Sequence, residues 1–183
     1  MIKTVRRVNI DNKRITLNES TMFQFQETQN TAYSLKEAYR YLKIDYFKFF
    51  KMDNLSKLGF LSAEILLEGI DNKEDFCVIL STSSSSLDTD TAFQETIQNV
   101  DNFFPSPMVF VYTLPNIVIG EICIRHKIHG ENMMCIINEN NVSDFYHKTQ
   151  FLIHEMNVRK GITGYLDCYQ NDFKSEFILF ETN

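Results

Sequence analysis

The sequence predicts an α/β protein with a mostly parallel sheet and helices on both faces. Three observations carry this. Short apolar, β-rich runs recur at residues 76–80, 133–137, 162–169 and 176–181. Segments with helical apolar spacing separate most of them, the pattern of crossover connections between parallel strands. The last two runs lie only a few residues apart, too close for a crossover, so they pair as an antiparallel hairpin.

The elements follow in order. Residues 2–10 alternate loosely and meet Asp11-Asn12 before residues 13–17, which reads as a strand, a turn and a hairpin return. Residues 31–42 place Ala32, Leu35, Ala38, Tyr39 and Leu42 on one helical face. Asp53-Asn54 caps a stronger helix over residues 55–69, with Leu58, Leu61 and Ile65 as its stripe, Leu66 beside them and Gly69 as its stop. The strand at 76–80 runs into the serine-rich segment 81–86, which lacks the glycines and lysine of a phosphate-binding loop and reads as a flexible surface loop.

A helix over residues 91–100 is followed by two breakers, Pro105 and Pro107. Leu114-Pro115-Asn116 then opens a helix to about Lys127, with proline near its first turn. Ile117, Val118, Ile119, Ile122, Cys123 and Ile124 make it apolar nearly all round, which predicts burial on most sides. Glu121 and Arg125, spaced i,i+4, fit an ion pair along it. The run at 133–137 ends abruptly in Asn138, Glu139, Asn140 and Asn141, and Ser143 caps a helix to about Asn157.

Composition narrows the function classes. A chain of 183 residues fits one domain with a real hydrophobic core. A net charge of −6, with lysines and arginines spread along the chain, argues against a nucleic-acid footprint. No apolar run approaches the roughly 20 residues of a bilayer span, and no apolar stretch follows the basic start MIKTVRR as in a signal peptide. The expectation is a soluble, cytoplasmic protein with no membrane contact.

Cys77, Cys123, Cys135 and Cys168 lie far apart in apolar segments with no CxxC, so they read as buried free thiols. His126 and His129 form an HxxH near a helix end, where Arg125, His126 and Lys127 suit the helix dipole. His147 and His154 share a helix face without a carboxylate partner of obvious spacing. No converging ligand set emerges, and neither metal nor cofactor is expected.

Four segments together resemble the N-terminal half of the β-ketoacyl synthases (3-oxoacyl-ACP synthases), the condensing enzymes of the thiolase fold. Residues 50–58, FKMDNLSKL, are similar to the helix start with a "(K/R)MD…S" signature. Residues 77–82, CVILST, resemble the strand that ends in a glycine-rich "GT" turn. Phe104-Pro105-Ser106-Pro107 followed by Thr113-Leu114-Pro115-Asn116 resembles the "P…LPN" segment. Residues 121–132, EICIRHKIHGEN, are similar to "G-I-I-R-GL-GPN". The resemblance spans roughly residues 50 to 140 and implies a three-layer thiolase-like half-domain with a five-stranded, mixed but mostly parallel sheet.

The departures bear on activity. The family presents its nucleophilic cysteine in a "TACS(S/A)G" elbow after the "GPN" strand. Counted from Asn132 at the family's spacing, that position is Glu139, while Cys135 falls inside the strand. The two histidines of the family's second half lie beyond the point where this sequence ends, and the glycine-rich turn is replaced by serines. A carboxylate cannot carry an acyl group as a thioester, so the sequence argues against autonomous condensation.

Some family members carry glutamine at the nucleophile position and serve as decarboxylases or chain-length-determining partners, and Glu139 is an approximate copy of that side chain. The other reading makes 138–141 a solvated loop and helix cap. Asn138, Glu139 and Asn140 are thus the candidate substrate- or partner-binding residues.

The resemblance implies an accessory or chain-length-factor-like subunit in fatty acid, polyketide or aryl polyene biosynthesis. It would work beside an acyl carrier protein or a full synthase, as a homodimer or heterodimer. Two alternatives stand: a scaffold domain reusing the half-fold, and a malonyl-carrier decarboxylase completed in trans. A free half is also expected to expose an apolar face where its missing companion would pack.

Overall fold

The computed structural model describes residues 2–26 and 30–182. The strands are β1 (Ile2–Asp11), β2 (Arg14–Leu17), β3 (Ser20–Gln24), β4 (Cys77–Thr82), β5 (Asn132–Ile136), β6 (Lys160–Tyr169) and β7 (Asp172–Thr182). The helices are α1 (Thr31–Tyr41), α2 (Asn54–Leu66), α3 (Leu87–Ile97), α4 (Pro107–Val111), α5 (Ile117–His126) and α6 (Val142–Glu155). The strands form one sheet in the order β3-β2-β1-β7-β6-β4-β5.

The sheet corrects the expected five strands to seven, and the balance of the pairings with it. Only β4–β5 and β4–β6 are parallel; β1–β2, β2–β3, β1–β7 and β6–β7 are antiparallel. The physical cause lies in the connections. Strands reached through helices run parallel, whereas strands joined by tight turns must reverse. The Asp11 carboxylate accepts from the N–H groups of Lys13 (2.8 Å) and Arg14 (2.9 Å) to close the β1–β2 turn. Asn18 and Glu19 adopt positive φ of 48° and 71° and turn the chain into β3. The sequence of β3, STMFQ, shows little alternation, which hid it.

Helix α2 organises the main core. Its Leu58, Phe60, Leu61 and Leu66 are fully buried against Val8, Ile10, Val78, Leu80, Ile162, Leu166 and Phe177 from the sheet. Asp53 caps it as expected, accepting from the Ser56 N–H at 3.0 Å, and its helical hydrogen bonding stops at Leu66, three residues before Gly69. At its far end the Arg6 guanidinium donates to the carbonyls of Leu66 (3.3 Å) and Glu68 (2.6 Å), placing a cation on the negative end of the dipole. Gly59 lets α5 approach closely: a Cβ there would lie 2.3 Å from Val118 Cγ2.

Two expectations about α5 change. Ile124 is 63% exposed, so the helix is not buried all round. Glu121 and Arg125 do not pair with each other. Glu121 is buried and takes the Lys48 ammonium at 2.8 Å and the Tyr112 hydroxyl at 3.1 Å, whereas Arg125 binds Glu64 through both carboxylate oxygens at 2.8 and 3.1 Å. Both side chains found partners on other elements, which helical spacing cannot reveal.

The opposite face of the sheet carries a smaller cluster: Cys77, Ile79 and Phe180 under Phe145 and Ile153 of α6. The outer face of α6 is polar, with Asp144, His147, Lys148, Gln150, His154 and Glu155 exposed. Phe151 is the large apolar residue exposed there. Apolar exposure concentrates instead in residues 100–114, around α4. No helix among the described residues is long and apolar enough to cross a membrane.

Candidate functional site

Strands β4, β5 and β6 lie side by side and parallel, so their carboxyl ends open at one edge of the sheet, where open α/β sheets place their sites. Thr82 aligns with Ile136, and Ser81 with Tyr165. Beyond these ends come Ser83–Ser86 after β4, Asn138–Asn141 after β5, and Asp167 near the end of β6.

The serine segment is a tied turn, not the flexible loop expected. Asp167 holds it through five hydrogen bonds. Its Oδ1 accepts from Thr82 Oγ1 (2.8 Å) and from the N–H groups of Ser83 (3.1 Å) and Ser84 (2.8 Å). Its Oδ2 accepts from Ser83 Oγ (2.8 Å) and Ser84 Oγ (2.9 Å). Ser83 Oγ also lies 2.9 Å from the Tyr165 hydroxyl. Burial alone would raise the pKa of Asp167, but the Ser84 and Ser83 donors and the Thr82 hydroxyl outweigh it and hold the carboxyl below its ordinary range. The Tyr165 phenol is pushed up to about 12, chiefly by burial.

Among the candidates from the sequence, Asn138 is committed locally. Its side-chain oxygen accepts from the Asn140 N–H at 2.9 Å, and its carbonyl accepts from the Asn141 N–H at 2.8 Å, so Glu139–Asn141 forms a 3₁₀ turn leading into α6. The Glu139 side chain is 65% exposed and stands 3.9 Å from Lys174 Nζ, a loose surface pair of small energetic weight. Glu139 and Asp167 do meet, lining a cavity of about 190 Å³ together with Ser84, Tyr169, Asp172, Phe173 and Lys174.

This arrangement is poor in nucleophilic chemistry. No histidine lines the cavity, and a carboxylate held below its usual range is a weak proton acceptor for the serine hydroxyls it binds. The thiols are packed away from the site or held neutral. Burial pushes Cys77 up to about 12 and raises Cys123, Cys135 and Cys168. His126 lies 3.2 Å from Glu64 Oε1, and no group of three or more metal-ligating side chains gathers among the described residues.

A second cavity of about 280 Å³ lies between the start of α2, α3 and α4, lined mainly by apolar groups including Met52, Leu55, Met108 and Tyr112. Asp53 reaches its wall, accepting from the Ser56 N–H and from Thr89 Oγ1, each at 3.0 Å, and burial raises its pKa. It therefore clamps α3 to α2, with each carboxylate oxygen already engaged.

Sequence reasoning missed Asp167, Tyr165 and Lys174. One signal was present: Asp167 is a charged residue inside the otherwise apolar run ITGYLDCY, a costly placement unless donors converge on it.

Comparisons with solved structures agree on the fold. The chain superposes on a ketosynthase (ApeO) in complex with its chain length factor (ApeC) from Xenorhabdus doucetiae, at a TM-score of 0.71 and 11% identity, covering 100% of this chain and 79% of that one. It matches the ishigamide ketosynthase/chain length factor at 0.72 and 14% identity, covering 99% and 62%. A ketosynthase from module 6 of the bacillaene synthase of Bacillus subtilis gives 0.55 and 8%, covering 98% and 36%. The chain thus spans less than two thirds of the last two. No family model and no curated protein matches the sequence. At these identities the likeness is one of architecture: the chain has a divergent, ketosynthase-like half-thiolase fold.

Proposed function

We propose that this protein is a non-catalytic, ketosynthase-like subunit that works beside a ketosynthase-like partner, in the manner of a chain length factor. The observation that carries the reading is the character of the site past β5. An exposed carboxylate, Glu139, stands where the family resemblance puts the nucleophile, and all four thiols are buried or half-buried with raised pKa values. Association is supported by β5 itself. It is an edge strand, Asn132–Ile136, that carries neither charge nor proline and leaves Met133 37% and Ile136 65% exposed. Proteins usually blunt such edges unless another strand pairs with them.

Asn138, Glu139 and Asn140 then sit at the rim of the subunit contact or acyl passage. Fatty acid, polyketide and aryl polyene biosynthesis are the pathways this role fits, with an acyl carrier protein as the donor of chains to the partner. The test is association with a complete ketosynthase, followed by light scattering on a size-exclusion column. The expected result is a defined complex that Ile136→Asp abolishes. A chain that stays monomeric beside ketosynthases at micromolar concentration refutes the reading. Malonyl-carrier decarboxylation by the isolated chain, lost in Glu139→Ala, would replace it with a trans-completed decarboxylase.

A further inference from the structure

Among the described residues, the densest run of exposed large apolar side chains is not at the β5 edge. Val100 (92% exposed), Phe103, Phe104 (80%), Met108, Phe110, Val111 and Leu114 fall within fifteen residues around α4. Exposure on this scale within one short segment is more than single scattered apolar residues explain. The segment is also held in place. Phe93 of α3 packs on Phe110 with ring centroids 5.4 Å apart, the Phe104 N–H donates to the Thr96 carbonyl at 2.8 Å, and Ser86 Oγ donates to the Thr113 carbonyl at 2.5 Å.

The charge carried by the α3–α4 segment has one sign. Residues 87–114 contain no lysine, arginine or histidine but four acidic residues, Asp88, Asp90, Glu95 and Asp101, and the one cation lining the neighbouring cavity among the described residues is Lys51, from the turn before α2. Asp90, Glu95 and Asp101, on α3 and at the root of α4, are exposed.

From these two observations we propose that the α3–α4 face docks a protein partner whose contact surface is apolar at its centre and basic at its rim. The inference rests on the partner-subunit reading and deepens it by giving the chemistry of a contact surface. Complementary charge steers such an encounter and rejects wrong partners, because like charges brought together across an interface repel. A symmetric contact between two copies would bring acidic rims together, and an acidic protein or an anionic bilayer meets the same repulsion.

Fluorescent amphipathic helical peptides with one leucine face, flanked either by lysine and arginine or by glutamate, provide the probe. Binding to the full chain is read by anisotropy at low and high salt. The basic peptide is expected to bind and to weaken with salt, and the glutamate peptide is not. Phe104→Ser, Met108→Ser and Asp101→Lys should each weaken binding by roughly tenfold or more, while Phe151→Ser on α6 should not.

Equal binding of both peptides, or indifference to Phe104→Ser and Met108→Ser, overturns the proposal. So does preferential binding of phosphatidylglycerol vesicles, or a self-dimer that Phe104→Ser returns to monomer. Loss of ketosynthase association through Ile136→Asp with peptide binding intact would separate the β5 contact from this face. Peptide binding with no ketosynthase complex at all would remove the partner reading and leave the face.

Discussion

Replacing Asp167 with alanine tests whether the serine turn is built around that carboxylate. The substitution strands five donors at once: the N–H groups of Ser83 and Ser84 and the hydroxyls of Thr82, Ser83 and Ser84. The hydroxyls can rotate toward water or each other, but the two N–H groups are fixed by the backbone. Hydrogen bonds to a charged acceptor contribute a net ~1.5–3 kcal/mol each when intact, and a half-buried site lets water replace part of the loss, so the expected cost is about 2–4 kcal/mol. At ~2–4 °C per kcal/mol for a chain of this size, Tm should fall by about 5–12 °C.

The pH dependence has a definite sign. The folded-state pKa of Asp167 is lowered, so its contribution is full above the unfolded value of 3.8 and fades as pH falls through the lower folded value. The stability gap between wild type and Asp167→Ala should therefore be constant near neutrality and narrow in acid below that unfolded value. Asp167→Asn, which keeps an acceptor oxygen without the charge, should fall between them. Added formate should raise the Tm of the alanine variant but not of wild type, since only the variant leaves the donors open. Thermal and urea denaturation at neutral and acid pH measure all of this. An alanine variant within about 0.5 kcal/mol of wild type at neutral pH, or a gap that does not close in acid, refutes the reasoning.

Two further outcomes are expected. Glu64 sits at a pKa of about 2 because the His126 and Arg125 hydrogen bonds outweigh the opposing effect of burial. Its stabilisation is present above the ordinary value of 4.5 and is lost as pH falls toward 2, amounting to about 1–2 kcal/mol once solvent screening is allowed for. Carboxyl NMR titration checks this, and a Glu64 midpoint above 4 in the wild type would contradict it. Gly59→Ala should destabilise by about 1–3 kcal/mol by driving a Cβ into Val118. Urea unfolding would refute that if the variant matched the gain of ~0.5–1 kcal/mol expected for glycine to alanine at an unobstructed helical position.

Much of the architecture was legible along the chain. Local chemistry marked the start and the buried face of α2, where Asp53 caps and apolar residues repeat at helical spacing. It also marked the terminal hairpin, whose strands are too close in sequence for any other pairing. Motifs resembling those of the ketosynthases lay in order along one continuous stretch, which pointed to the half-fold and to Glu139 in place of a thiol.

The strand count was less legible. β3 has little alternation to betray it, and it joins the sheet because two left-handed residues, Asn18 and Glu19, turn it back on β2. Which neighbours a charged residue would find was not legible at all. Glu121 and Arg125 share a helix yet bind Lys48 and Glu64, and Asp167 reaches a turn more than eighty residues earlier.

The sequence by itself determined the α/β class, because strand and helix periodicities are local, and its resemblance to the ketosynthases implied that Glu139 stands where their nucleophile would. Tertiary structure alone decided that the serine segment is a rigid turn gathered on Asp167. It also decided that apolar exposure concentrates around α4, while α6 exposes Phe151 on an otherwise polar outer face. Those properties arise when groups remote in sequence exchange water for one another, and no window along the chain contains both partners.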